Sequence, residues 1–351
     1  MRMDKLWFAS DYMEGAHPTL MRRLLETNLE PSEGYGTDRH CERARALIRD
    51  ACACEGAAVH FLVGGTQANL CVIDQLLMPW QGVVAAETGH IATHEAGAIE
   101  GCGHKVLTLP ETVGKLSAKD VRALAARWQA DGNREHTVMP GMVYISQPTE
   151  YGTLYTLEEL NELSAACRGY GMKLYVDGAR LAYALACPEN DVTLPDLARL
   201  TDAFFIGGTK CGALMGEAVV FPDADIAPHF FTLMKKRGAL LAKGRLLGVQ
   251  YEALFEDGLY LRIGEGAIRA ADRLRAGLKA CGIPQFIEAP TNQVFAVLDN
   301  ARYERLKPRI EMSFWETVDE DHTAVRLATG WNTRMEDVET VIGLLKCEGT
   351  I

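Results

Sequence analysis

Four stretches of the chain place reactive side chains beside turn residues at the ends of apolar runs. Gly64-Gly65-Thr66-Gln67 follows the run Val59–Val63 and opens a helical stretch. Glycines let backbone amides approach a ligand closely, and a helix start offers unpaired N–H groups with partial positive charge. With the Thr66 hydroxyl, this is a phosphate site in kind, though neither a P-loop nor G-x-G-x-x-G. Asp177 opens Asp-Gly-Ala-Arg after another apolar run. A carboxylate ~4 Å from a cationic heterocycle, at an effective dielectric of ~20, is worth roughly 4 kcal/mol, about three pK units. That is enough to keep a weakly basic pyridine nitrogen protonated at neutral pH. Lys210 follows Phe204-Phe205-Ile206 and two glycines. Its stem therefore starts inside the protein, where desolvation favours a neutral, nucleophilic amine. His90 ends Glu87-Thr88-Gly89-His90, and its imidazole can stack on a planar ring or move a proton near neutral pH. Taken singly, each has an ordinary reading: a tight turn, a turn-forming Asp, a surface Lys, a structural His.

The elements that must position these groups alternate. Strands are expected over Val59–Val63, Gly82–Ala86, Lys105–Leu109, Met142–Ser146, Lys173–Val176, Ala203–Ile206 and Ala218–Phe221, with a helix over Gln67–Met78. Thr156-Leu157-Glu158-Glu159 is a capping-box pattern opening a helix that stops near Gly169 or Gly171. This order argues an α/β fold with a mostly parallel sheet covered on both faces. In such sheets ligands sit beyond the carboxyl ends of the strands, where all four stretches lie. From Met234 to Cys281 the pattern turns helical; Val294–Leu298, Ala324–Ala328 and a helix over Met335–Lys346 follow. We therefore expect a large domain over residues 16–250, a smaller α+β domain over 251–351, and residues 1–15 as an N-terminal arm, the boundary falling inside a helix near Gln250.

The whole-chain numbers narrow the classes. In 351 residues there are 36 Lys and Arg against 47 Asp and Glu, a net charge of −11. So acidic a chain argues against nucleic acid or anionic membrane as partner. No apolar run is long enough for a membrane span, and the N-terminus lacks the apolar core of a signal peptide. The 10 cysteines show neither zinc spacing nor a disulfide framework; the nearest pair, Cys52 and Cys54, is C-x-C. They read as reduced thiols of a cytoplasmic protein.

Phosphate loop, ring-face residue, Asp, then Lys, all at strand ends and in that order, is the constellation a pyridoxal 5′-phosphate enzyme needs. Over nearly its whole length the chain resembles the fold-type I pyridoxal-phosphate enzymes, and among them the low-specificity L-threonine aldolase and β-eliminating lyase group. The resemblance rests on Ser10-Asp11, Glu33-Gly34-Tyr35-Gly36-Thr37-Asp38, Gly64-Gly65-Thr66-Gln67-Ala68-Asn69, His90-Ile91 with Glu95-Ala96-Gly97, Asp177-Gly178-Ala179-Arg180-Leu181, Gly208-Thr209-Lys210 and Val325-Arg326-Leu327-Ala328-Thr329. It implies a seven-stranded sheet, with Lys210 joined to the cofactor, Asp177 on the ring nitrogen and His90 stacked on the ring. Gly65, Thr66, Gln67 and Thr209 would hold the phosphate. Ser10, Arg180 and Arg326 would grip the substrate carboxylate, Arg180 also bordering the cofactor. Tyr35 would reach a neighbouring subunit's site in a homodimer or homotetramer.

The implied reaction is retro-aldol cleavage of L-threonine, allo-threonine or a related β-hydroxy-α-amino acid to glycine and an aldehyde. The alternatives are β-elimination or other Cα chemistry with the same cofactor, or a nucleotide-binding α/β oxidoreductase or sugar-phosphate binder. The chain departs from the family pattern at two places. Gln147-Pro148-Thr149-Glu150-Tyr151 lacks the family's second active-site His, leaving Glu95, His17 and Glu150 as candidates for its work. A family Arg aligns only loosely with Gly238–Lys243, where Lys243 or Arg237 would stand in.

Overall fold

The computed structural model describes residues 5–346. Of the expected elements, only the first residues of the N-terminal arm and Cys347 with the end of the chain lie outside it.

Seven strands form the main sheet. Across it they run Ala58–Leu62, Glu217–Phe221, Ala203–Gly207, Lys173–Asp177, Met139–Ser146, Gln81–Ala86 and Val106–Leu109. The last five named are parallel to one another. Glu217–Phe221 is antiparallel to both its neighbours. The reason is the connection: residues 208–216 are fewer than the dozen or so that a parallel crossover needs, so the chain reverses beside the strand it has just left. Side chains of the strands alternate between two buried clusters. Val84, Val143, Ile145, Val176 and Phe204 face one; Val83, Ala85, Met142, Tyr144 and Phe205 face the other. Both faces are covered, which is why these strands read as unbroken apolar runs.

The expected boundaries shift by one to three residues. The Met139–Ser146 strand starts before Pro140, where a turn residue masks its beginning in the sequence. The helix expected from Gln67 starts at Gly65, with Gly64 as its N-cap, so Thr66 sits inside its first turn and does not cap it. The capping box of Thr156 with Glu159 forms, and Gly171 closes the helix at φ 68°, a left-handed geometry glycine adopts without penalty. The helical stretch after Met234 is several helices, Phe230–Lys236, Arg245–Phe255, Leu259–Arg262 and Glu265–Ala280. Arg245–Phe255, which contains Gln250, packs on the helix Arg39–Ala51.

A second sheet is antiparallel, with His322–Ala328 between Ser313–Thr317 and Gln293–Asp299. The helices Glu265–Ala280 and Met335–Lys346 cover it and share its separate core, with Leu274, Val294, Val325 and Val341. The N-terminal arm runs along this sheet. Leu6 and Trp7 pair in parallel with Ile310 and Glu311, and the Phe8 carbonyl accepts from Ala328 N–H at 2.7 Å. The next residues, Ser10 to Tyr12, are thereby delivered to the carboxyl ends of the main sheet.

The main sheet reverses its strand order where Gln81–Ala86 lies beside Met139–Ser146. The chain steps outward from the first to Val106–Leu109 before returning to the second. The loops leaving that pair, toward His90 and toward Glu150, diverge and leave a crevice, the usual ligand position in open α/β sheets.

Candidate functional site

The crevice holds a cavity of about 280 Å³ lined by Gly64, Gly65, Thr66, His90, Glu150, Asp177, Arg180, Thr209, Lys210 and Glu217, among others. An adjoining chamber of about 550 Å³ is lined by Thr88, His94, Tyr151, Trp315 and Arg326, and shares Tyr12, His90, Glu150, Arg180 and Lys210 with the first.

Asp177 is the last residue of its strand and is 5% exposed. Tyr144 Oη donates to its Oδ2 at 2.6 Å and Asn69 Nδ2 at 3.1 Å. Ala179 N–H donates to Oδ1 at 2.9 Å. The turn beyond it demands Gly178, because a Cβ there would stand 1.9 Å from the Phe205 carbonyl oxygen. That close approach packs the turn after Asp177 against the strand that leads to Lys210.

Lys210 is half-buried on the cavity wall. Its carbonyl accepts from Tyr183 Oη at 2.6 Å, and its Nζ lies 5.8 Å from the centre of the Tyr12 ring. Burial, then the Arg180 charge, lowers its pKa, so the neutral amine is favoured. Beside it Glu217 is 3% exposed and accepts from Gly208 N–H at 3.2 Å. Burial pushes its carboxyl up to about 8. Thr209 Oγ1 accepts from Gly216 N–H at 3.0 Å.

His90 Nδ1 meets Glu95 Oε1 at 2.8 Å, and the same oxygen accepts from Asn69 Nδ2 at 2.7 Å. One amide, Asn69, thus ties the His90 carboxylate partner to Asp177. Tyr175 Oη donates to Asn69 Oδ1 at 2.9 Å and fixes that amide.

On the arm side, Asp11 receives Arg180 through Nε at 2.7 Å and Nη2 at 2.9 Å, and Asn292 Nδ2 at 2.8 Å. Burial would raise its pKa, but Arg180 overrides that and the carboxyl falls to about 2. Arg180 Nη1 remains for another anion. Arg326 donates to Gln293 Oε1 at 3.0 Å and the Ala9 carbonyl at 3.0 Å, while its Nε is buried without a partner. Burial, then Arg180, brings it down to about 10. Two buried cations with one carboxylate between them leave positive charge facing the chambers, which suits a carboxylate ligand.

Of the site residues expected from sequence, Gly65, Thr66, His90, Asp177, Arg180, Thr209 and Lys210 line the first chamber and Arg326 the second. Three stand apart. Gln67 turns its side chain back to accept from Val63 N–H at 3.3 Å, so only its main chain can serve the loop. Ser10 is half-buried beside Asp11 and lines neither chamber. Tyr35 is exposed, its ring 4.4 Å from Lys235 Nζ, away from this chain's cavity. Arg237 is a poor stand-in for the family Arg, being engaged twice by Asp74 at 2.9 and 2.6 Å; Lys243 is exposed. Asp11, Asn69, Tyr144 and Glu217 are site residues that sequence reasoning did not single out. Asn69 and Asp11 stood inside quoted motifs; Tyr144 gives no local signal in an apolar strand. Among the described residues no group of side chains is arranged to hold a metal ion, no cysteine is paired, and no helix is long and apolar enough to cross a membrane.

Comparison with known proteins agrees with this geometry. The low-specificity L-threonine aldolase of Pseudomonas aeruginosa is 32% identical over 338 residues, 94% of each chain. That of Saccharomyces cerevisiae is 26% identical, over 84% of this chain and 75% of its own. The structure of the Leishmania major threonine aldolase superposes with a TM-score of 0.95 at 41% identity, over 98% of this chain and all of the other. Aspartate aminotransferase from Thermus thermophilus shares the fold at a TM-score of 0.71 and 16% identity. The sequence pattern of the beta-eliminating lyases matches residues 8–301, and the chain belongs to that family.

Proposed function

We propose that the protein is a pyridoxal 5′-phosphate-dependent lyase that cleaves L-threonine, L-allo-threonine or a related β-hydroxy-α-amino acid to glycine and an aldehyde. The observation that carries this reading is that the Lys210 amine, the Asp177 carboxylate and the glycine-rich helix start at Gly65 line one cavity. The residues fit the cofactor: an amine whose burial favours its neutral form, a buried carboxylate for a ring nitrogen, main-chain N–H groups for a phosphate and an imidazole on the wall. When bound, the cofactor supplies an electron sink for the pair left on Cα.

The rest falls to the chain. Lys210 would offer a nucleophilic amine to the cofactor aldehyde. Asp177, fixed by Tyr144, Asn69 and Ala179, would pair with the ring nitrogen. Gly65, Thr66, Thr209 and the main chain of Gln67 would hold the phosphate. Burial, which raises the Glu217 carboxyl, disfavours a second negative charge on the same cavity wall. Glu95 orients His90, which would stack on the ring. Arg326 and the free edge of Arg180 would bind the substrate carboxylate. That grip sets the rotation about Cα and so decides which bond lies perpendicular to the ring plane, a positioning effect.

The large and small units, divided inside the helix Arg245–Phe255, meet at this site, one supplying Lys210 and Asp177 and the other Arg326. The enzyme works as a homodimer or homotetramer in the cytoplasm, with Tyr35 reaching a neighbouring subunit. The exposed Leu25, Leu29 and Leu246, with Tyr35, support association. The test is an assay of cofactor-saturated protein with L-threonine, L-allo-threonine and phenylserine. Equimolar glycine and aldehyde are expected. Ammonia and keto acid in their place would show β-elimination and contradict the aldolase reading.

A further inference from the structure

Five residues line both chambers, namely Tyr12, His90, Glu150, Arg180 and Lys210. A substrate with its amine at Lys210 and its carboxylate at Arg326 and Arg180 would bring Cβ near that junction. Three of the five are already engaged. Lys210 is the amine, Arg180 is bonded to Asp11, and His90 is the ring wall with Nδ1 on Glu95. Glu150 is the one carboxylate shared by both chambers.

We propose that Glu150 is the catalytic base that takes the proton from the substrate's β-hydroxyl; the proposal rests on the aldolase reading above and deepens it. Its position is built by the point where the sheet reverses strand order. Glu150 leaves the Met139–Ser146 strand on one side of the crevice, and His90 leaves the Gln81–Ala86 strand on the other. His90 N–H donates to Glu150 Oε1 at 2.8 Å across the gap, and Ser146 Oγ donates to the same oxygen at 2.8 Å. Both donors go to Oε1, which leaves Oε2 for a ligand. The Glu150 carbonyl accepts from Gln293 Nε2 at 3.2 Å, so the small sheet holds the loop as well. Burial raises the carboxyl's pKa, toward the range in which a base at neutral pH is most effective.

The two other candidates that the sequence offered are excluded by their contacts. Glu95 is sealed behind His90 and Asn69. His17 accepts from Thr19 N–H to cap the helix Pro18–Glu26, and packs edge-on against Trp331. Neither lines a chamber. Asp177 and Glu217 line the first chamber only.

The step balances without an external oxidant or reductant. The β-hydroxyl proton passes to Glu150, and the O–H pair becomes the second C–O bond of the aldehyde. The Cα–Cβ bond breaks, its electrons remain with Cα, and Cα then takes a proton to give glycine. Glu150 returns its proton to water. One hydrogen has moved from oxygen to carbon.

The test uses cofactor-saturated wild type, Glu150→Gln and Glu150→Asp. Cofactor retention is measured by equilibrium dialysis, glycine binding by the change in the visible spectrum, and exchange of the glycine α-hydrogen in D₂O by NMR. These need no β-hydroxyl, whereas L-threonine cleavage does. In Glu150→Gln, kcat for cleavage falls by about 10²–10⁴-fold, dialysis and glycine binding are unchanged, and glycine exchange stays within about fivefold. Glu150→Asp recovers part of the loss. Cleavage retained in Glu150→Gln, or exchange lost in proportion to cleavage, overturns the proposal. A wild type that exchanges glycine but cleaves no β-hydroxy amino acid overturns the aldolase reading itself, and the proposal with it.

Discussion

Asp177 and Glu217 are both buried acids on one cavity, yet their surroundings give them opposite work. Asp177 collects three donors; burial pushes the Glu217 carboxyl up to about 8. In the proposed role, Asp177→Asn removes the carboxylate that would keep a ring nitrogen protonated. We predict that it retains cofactor on dialysis but slows turnover by about a hundredfold or more. For Glu217 the native carboxyl keeps a proton that the unfolded chain, at the ordinary value of 4.5, has lost. Native protein therefore binds more protons, and stability declines as pH rises from about 4.5 to about 8. Glu217→Gln should melt higher than wild type at pH 8, the gap closing toward pH 5, in apoprotein thermal scans. Asp11 behaves in the reverse sense. Its carboxyl, held at about 2, contributes stability above the ordinary Asp range, lost as pH falls through 2. Asp11→Ala leaves Arg180 buried without its partner, and we expect a loss of about 3 kcal/mol in urea unfolding at pH 7.

Elements explain which of these residues the sequence disclosed. Lys210, Asp177, His90 and the Gly64-Gly65-Thr66 loop each follow an apolar strand, so a period and a turn residue announce them. Asp11 meets Arg180 from the far end of the chain, and no local pattern carries that distance. Tyr144 reads as one more apolar strand residue; its hydroxyl matters only once Asp177 lies in the next strand, in register Ser146 with Asp177. The short strands Leu6–Trp7 and Ser313–Thr317 escaped because two to five half-exposed residues at an edge give no clear alternation. The helix pair Arg39–Ala51 and Arg245–Phe255 is held close by Gly248, where a Cβ would meet Cys41 Sγ at 2.5 Å and its main chain at 2.6 Å. Gly248→Ala must push these helices apart, and should destabilise by about 1–3 kcal/mol in urea unfolding.

At the scale of the molecule, two sheets with separate cores meet along the N-terminal arm, and the site lies where they meet. Leu25 at 77% and Leu29 at 92% exposure lie together at the end of the helix Pro18–Glu26 and just past it. Such side chains are covered when copies associate. Sedimentation should give a dimer or tetramer for wild type, and Leu29→Glu should shift the equilibrium toward monomer; a wild type that sediments as monomer counts against shared active sites. The proposed function depends on one covalent fact, and borohydride reduction of cofactor-saturated protein followed by peptide mapping reads it. A reduced vitamin B6 adduct is expected on the peptide carrying Lys210; an unmodified Lys210, or the adduct on another lysine, would overturn the proposed function.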